Sequence, residues 1–135
     1  MTGSDIEITF LGTGSTIPPI GRQQVSFALR QAVGLILFDC GEGTQYSLRK
    51  FKISTRREFI ICISHLHSDH FLGLPGLLSS MQLLDREEEI IIIGPTGIMT
   101  TVENLLKTYY IGLNYPALSV YDKCKRFTNF PYPCL

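Results

Sequence analysis

The feature that most restricts this sequence is the junction between a nearly unbroken apolar run, Phe59 to Ile63, and the only three histidines in the chain, His65, His67 and His70. The run is short and rich in β-branched side chains, so it reads as a strand buried on both faces rather than as a surface helix. It delivers the chain directly into Ser64-His65-Leu66-His67-Ser68-Asp69-His70. His65 and His67 are one residue apart, and extended backbone projects such a pair to one side, where both can converge on a single ion. Asp69 and His70 follow at once. A turn there directs their carboxylate and imidazole toward a second ion a few ångströms away, with room for a bridging hydroxide. Imidazole and carboxylate donors suit zinc, and manganese and iron are compatible with the same set. The plain alternative is a polar loop whose histidines make ordinary hydrogen bonds. Four ligand-type side chains within six residues weigh against it, because they seldom cluster without a metal or a catalytic role.

Around this loop the pattern is that of strands followed by alternating helices and strands. Ile6, Ile8 and Phe10 alternate with polar neighbours, as do Val25, Phe27 and Leu29, which is the period of half-buried strands. Gly12-Thr13-Gly14-Ser15 and Pro18-Pro19 mark a long turn between them. Leu35 to Phe38 gives a third strand ending at Asp39, and Thr44 to Lys50 a short helix with Thr44 as its cap. Leucines recur at helical spacing from Leu72 to Leu84, with Pro75 placed in the first turn. A strand at Ile90 to Ile93, a Gly94-Pro95-Thr96-Gly97 turn and a helix from Ile98 to Tyr110 form another unit, and a last strand falls near Ala117 to Tyr121. After Asp122 the periodicity stops, and Phe130-Pro131-Tyr132-Pro133 is an extended ending. The expected fold class is α/β, an α+β mixed sheet covered by helices. Residues 1–121 form the domain and residues 122–135 an irregular end.

At 135 residues the chain is the size of one domain. Twelve acidic and twelve basic side chains cancel, so no global field draws it to nucleic acid or to an anionic membrane, and a polyanionic substrate must be held locally. Arg22 and Lys50 are candidates for such contact with RNA backbone, although isolated basic side chains are usually just solvated. The apolar stretches fall far short of the ~20 residues that cross a bilayer. Met1 to Asp5 lacks the basic segment and apolar core of a secretory signal. Cys40, Cys62, Cys124 and Cys134 form no Cys-x-x-Cys pair and read as reduced thiols, so the expected location is cytoplasmic. Asp39, at a strand end before a glycine turn, is placed to hydrogen-bond a histidine of the loop or to brace it. The Gly12 to Ser15 backbone can approach a phosphate, but turn geometry is its simpler explanation.

His65-Leu66-His67-Ser68-Asp69-His70 matches the His-x-His-x-Asp-His signature of the metallo-β-lactamase superfamily. Phe10-Leu11-Gly12-Thr13-Gly14, Asp39 to Gln45, Gly73 to Leu78 and Gly94 to Gly97 narrow the match, and together they resemble ribonuclease Z, the tRNA 3′-processing endonuclease. The resemblance runs from about Ile6 to Tyr121. It implies a metallo-β-lactamase-like αββα sandwich, of which this chain looks like the N-terminal half. It implies two zinc ions in a complete site, His65 and His67 on one, Asp69 and His70 on the other, with Asp69 also the proton acceptor. It implies a precursor tRNA substrate, hydrolysed to a 3′-hydroxyl on the tRNA and a 5′-phosphate on the trailer, and a homodimer.

The family's centre also needs a further histidine, a bridging aspartate and a final histidine, whereas no histidine follows His70 and the only later aspartates are Asp85 and Asp122. The chain is therefore expected to be a fragment or truncation of a zinc-dependent tRNA endonuclease. The alternatives are a catalytically inactive remnant that binds metal or pairs with another subunit, and another hydrolase of the superfamily. In either of the first two cases the apolar sheet face left without its covering layer is expected to cause self-association.

Overall fold

The computed structural model describes residues 5–84, 86, 88–112 and 118–122. The readings on Asp85, Cys124, Cys134 and the Phe130 to Pro133 ending lie outside the described residues. In chain order the elements are β1 (Glu7–Gly12), β2 (Ser26–Arg30), β3 (Gly34–Phe38), α1 (Thr44–Lys50), β4 (Glu58–Cys62), α2 (Ser68–Phe71), α3 (Leu74–Leu83), β5 (Ile90–Gly94), α4 (Ile98–Thr108) and β6 (Leu118–Asp122).

The six strands form one sheet in the order β1-β2-β3-β4-β5-β6. β1, β2 and β3 pair antiparallel, and β3 to β6 pair parallel, so the sheet is mixed as the alternation of elements predicts. The antiparallel strands are joined by turns, while each parallel strand is reached through a connection that carries helix.

Side chains alternate across the sheet, and the two faces meet different surroundings. On one face Ala28, Leu35, Leu37, Phe59, Ile61, Ile90 and Ile92 are buried under Leu48 of α1, Leu74, Leu77, Leu78 and Met81 of α3, and Ile98 and Val102 of α4. The spacing 74, 77, 78, 81 is the helical stripe that the leucine pattern predicts. On the other face two apolar rows run across the strands in register, Phe10-Phe27-Phe38-Cys62-Ile93 and Ile8-Leu29-Ile36-Ile60-Ile91. No helix of the described residues covers them. Phe27 and Phe38 stack with ring centroids 4.7 Å apart, and Phe10 tilts against Phe27 at 6.0 Å.

Two expectations are corrected here. The alternation of Ile6, Ile8 and Phe10 does mark a strand, but these side chains lie on the open side and are 65%, 55% and 66% exposed, while Leu11 is the buried residue of β1. The cap of α1 is Gly43 in left-handed backbone (φ 87°), with no side-chain cap bond, and Thr44 instead donates its hydroxyl back to the Gly41 carbonyl at 2.7 Å. Pro75 sits in the first turn of α3, where its missing N–H costs nothing.

Candidate metal centre

The parallel pairing of β3 and β4 brings Phe38 opposite Cys62, so the two strands end side by side. The ladder continues one step further, as Asp39 N–H donates to the Cys62 carbonyl at 2.8 Å. Asp39 then adopts left-handed backbone (φ 57°), which aspartate tolerates better than most residues, and the chain leaves the sheet. Its carboxylate is thereby turned to the start of the histidine loop. Oδ1 accepts the Ser64 N–H at 2.7 Å, and Oδ2 lies 2.9 Å from the Ser64 hydroxyl and 2.8 Å from His70 Nδ1. Both roles foreseen for Asp39, bonding a histidine of the loop and bracing the loop itself, are present together.

The far end of the loop is fixed by backbone. Cys40 N–H donates to the His70 carbonyl at 2.7 Å and Gly73 N–H to the Cys40 carbonyl at 2.8 Å, so residues 70–73 clasp the turn that follows β3. This clasp explains two of the glycines. A Cβ on Gly41 would lie 2.6 Å from the Asp69 carbonyl oxygen, and one on Gly73 would lie 2.1 Å from that of Gly41. Neither position has room for a side chain. The Gly12 to Ser15 turn, by contrast, spends its backbone on its own neighbourhood, with Gly14 N–H donating to the Gln23 carbonyl at 2.8 Å. Turn geometry accounts for it.

Within the loop the four candidate ligands form two pairs. His65 Nε2 lies 3.1 Å from His67 Nδ1, and His70 Nε2 lies 3.6 Å from Asp69 Oδ2. The His65 and His70 rings adjoin, with centroids 3.9 Å apart. Atoms bound to one tetrahedral zinc at about 2.0–2.1 Å stand roughly 3.3 Å from each other, so both pairs have the spacing of ligands to a common ion. Asp69 is buried in the first turn of α2, while His67 is exposed. The donor set fits a pair of ions, two donors to each. Among the described residues no group of three His, Cys, Asp or Glu side chains converges, so neither pair reaches a full shell with these residues alone.

Cys40, which follows Asp39, is fully buried. Burial pushes its thiol from 9.0 up to about 12, a hydrogen bond with Thr44 pulling down and the Asp39 charge pushing up again. The Cys62 thiol is raised by the same two influences, burial first and then Asp39. Arg22 and Lys50 line one cleft of ≈ 170 Å³ together with Tyr46 and Phe51, so the structure brings these two basic residues to the same place.

Sequence reasoning found the two pairs and Asp39 but passed over Ser64, whose hydroxyl lies 3.0 Å from His65 Nδ1 as well as against Asp39. Its position as the first residue of the loop was the available signal.

A family model described as "Anti-Pycsar protein Apyc1" matches residues 6–122. The chain belongs to that family. The chain is 44% identical over 110 residues to ribonuclease Z of Methanothermobacter thermautotrophicus, a match that covers 82% of this chain and 36% of that relative. The crystal structure of human tRNase Z, short form, matches at 37% identity with a TM-score of 0.75, covering 85% of this chain and 44% of that one. A metallo-β-lactamase fold protein, YhfI of Bacillus subtilis, matches at a TM-score of 0.68 and 16% identity over 93% of this chain and 49% of that one, a likeness of fold alone. The resemblance to ribonuclease Z drawn from the motifs is borne out, and so is the metallo-β-lactamase-like mixed sheet. The chain spans about a third of the length of the curated relatives it matches.

Proposed function

We propose that this chain supplies half of a binuclear zinc centre in an endoribonuclease of the ribonuclease Z type, which removes the 3′ trailer of precursor tRNA by phosphodiester hydrolysis. The observation that carries this proposal is the presence of two donor pairs at ligand spacing in one loop, His65 with His67 and Asp69 with His70. His65 and His67 hold one zinc, and Asp69 and His70 the other. Held by these residues, zinc would supply a lowered pKa to a bound water and charge stabilisation at the phosphate. Asp69 takes the proton released in the attack, since it is a buried carboxylate held beside the His70 ring. Asp39 holds His70 from behind, as carboxylates commonly do for metal-bound imidazole. Arg22 and Lys50 contact RNA backbone at their shared cleft, which suits a neutral chain that must hold a polyanion locally.

The choice of substrate follows the relatives at 44% and 37% identity rather than the family's description, which names a different protein. The motifs at Asp39 to Gln45 and Gly73 to Leu78, through their resemblance to ribonuclease Z, favour the same choice. We propose residues 1–121 as the catalytic domain, with β6 carrying its ladder one residue further, to Asp122, while residues 123–135 lie outside the described residues. We further propose a homodimer, and a cytoplasmic location consistent with Cys40 and Cys62 being unpaired. No helix among the described residues is long and apolar enough to cross a membrane.

A second proposal is kept because one observation favours it. The uncovered apolar rows on the sheet suit a non-catalytic chain that pairs with another subunit. Cleavage of precursor tRNA and zinc stoichiometry separate the two. With two donors per ion, this chain alone is expected to bind zinc weakly and to cleave negligibly; tight binding of two zincs per monomer, or efficient trailer release, would overturn that expectation. In the complete enzyme Asp69→Ala is expected to lower cleavage by about 10²–10⁴-fold. Unchanged cleavage with both metals bound would exclude Asp69 as the base, and hydrolysis of other phosphodiesters without tRNA cleavage would move the chain to another activity of the fold.

A further inference from the structure

We propose that Ser64 is a positioning residue that relays Asp39 to His65: Asp39 sets the tautomer of His70 directly and that of His65 through the Ser64 hydroxyl, so that one carboxylate presents the correct nitrogen at both metal positions. The assignment rests on the loop being a metal centre, but its proton positions follow from counting donors and acceptors. Ionised Asp39 can only accept. Its Oδ2 lies 2.8 Å from His70 Nδ1 and 2.9 Å from Ser64 Oγ, so both of those atoms carry a proton toward it. His70 is thereby the Nδ1–H tautomer, and its bare Nε2 is the atom 3.6 Å from Asp69 Oδ2.

The Ser64 hydroxyl has one hydrogen. Once that hydrogen is given to Asp39, Oγ has only lone pairs for its remaining neighbour, His65 Nδ1 at 3.0 Å. His65 must then also be the Nδ1–H tautomer, and its bare Nε2 is the atom 3.1 Å from His67 Nδ1. Reversing the hydroxyl, so that it donates to His65, would leave Oγ facing a carboxylate oxygen with no proton between them. That loses the charge-assisted bond, the stronger of the two. Ser64 Oγ is 3.4 Å from His70 Nδ1, too far to compete for a proton the carboxylate already holds at 2.8 Å. The result is one chain of protons, His65 Nδ1–H to Ser64 Oγ–H to Asp39 Oδ2, met from the other side by His70 Nδ1–H. Asp39 reaches the first pair only through Ser64. The Ser64 N–H on Asp39 Oδ1 holds the relay at a fixed place.

Histidine tautomers can be read directly by long-range proton–nitrogen correlation in ¹⁵N-labelled, metal-free protein at alkaline pH, where imidazole is neutral. Both His65 and His70 are expected to carry the proton on Nδ1. Ser64→Ala is expected to release His65 toward the Nε2–H form while leaving His70 as it was, and Ser64→Thr, which keeps the hydroxyl, to restore it. A wild-type His65 protonated on Nε2, or a His65 tautomer unmoved by Ser64→Ala, would overturn the proposal. Cobalt(II) titration of the complete enzyme, followed by its visible absorption, gives the metal readout, with Ser64→Ala expected to weaken binding by about 10–100-fold and Ser64→Thr to recover it. If the wild-type tautomers are as stated but cobalt does not bind, the metal-centre assignment fails and the tautomer relay stands; equal cobalt affinity in wild type and Ser64→Ala would remove the relay's role at the metal.

Discussion

The two faces of the sheet are built from the same kinds of residue and end in opposite states. Leu37, Ile61 and Ile92 are fully buried, whereas Ile8 and Phe10, on the opposite face, remain more than half exposed. The central strands are apolar on both sides, as strands sandwiched between two layers are. Only one layer, the helices α1, α3 and α4, is present among the described residues. Alternation in a sequence therefore reports that a strand has two faces, and whether a face is covered depends on what else packs there.

Adjacent residues of β4 give the sharpest way to break this comparison. Ile61→Ala removes a fully buried side chain on the helix-covered face and is expected to cost about 2–5 kcal/mol in urea unfolding. If it costs no more than its neighbour, the two faces are energetically alike and the comparison fails. The cysteines extend the test to chemistry. Cys40, buried with its thiol pushed to about 12, stays protonated through the range where an ordinary thiol ionises at 9.0. Its folded value is raised, so its contribution to stability is whole below pH 9 and is lost as pH climbs toward 12. Iodoacetamide at pH 8 is expected to label Cys62, on the open face, roughly tenfold faster than Cys40, as read by peptide mapping. Ile60→Ala, on the open side of the same strand, is expected to cost only about 1 kcal/mol. Smallest of all, Phe10→Ser is expected to change stability by less than about 0.5 kcal/mol while reducing self-association in sedimentation, because the face it belongs to is apolar and uncovered.

Much of the fold was legible because it rests on local period. The run from Phe59, the alternation at Phe27 and Leu29 and the leucine stripe of α3 each announce an element within a few residues. The candidate site was legible where it is contiguous, since His65, His67, Asp69 and His70 lie in one loop. What binds that loop in place was legible only in part: Asp39 was read as its brace, but the partner Ser64 was not. Asp39 and Ser64 are 25 residues apart, and only the parallel register of β3 and β4 makes them neighbours. Gly41 read as a turn residue and Gly73 as part of the helix from Leu72, yet both are needed because two backbones pass too close for a Cβ. The four-residue α2 was also invisible, since its residues are the ligands themselves and form no apolar stripe. The exposure of Phe10 was missed for a related reason, because an apolar side chain in a strand looks the same whether or not something covers it.

The order of the strands in the sheet is also the order in which they are synthesised. Each new strand docks on the free edge left by the one before it, with no need to wait for a later segment to be inserted. The hydrogen bonds that join Asp39, Cys40, Ser64, His70 and Gly73 all close within residues 39–73. The frame of the loop can thus assemble early on the ribosome, while its later neighbours are still being made, and contacts of short span favour fast formation of that frame.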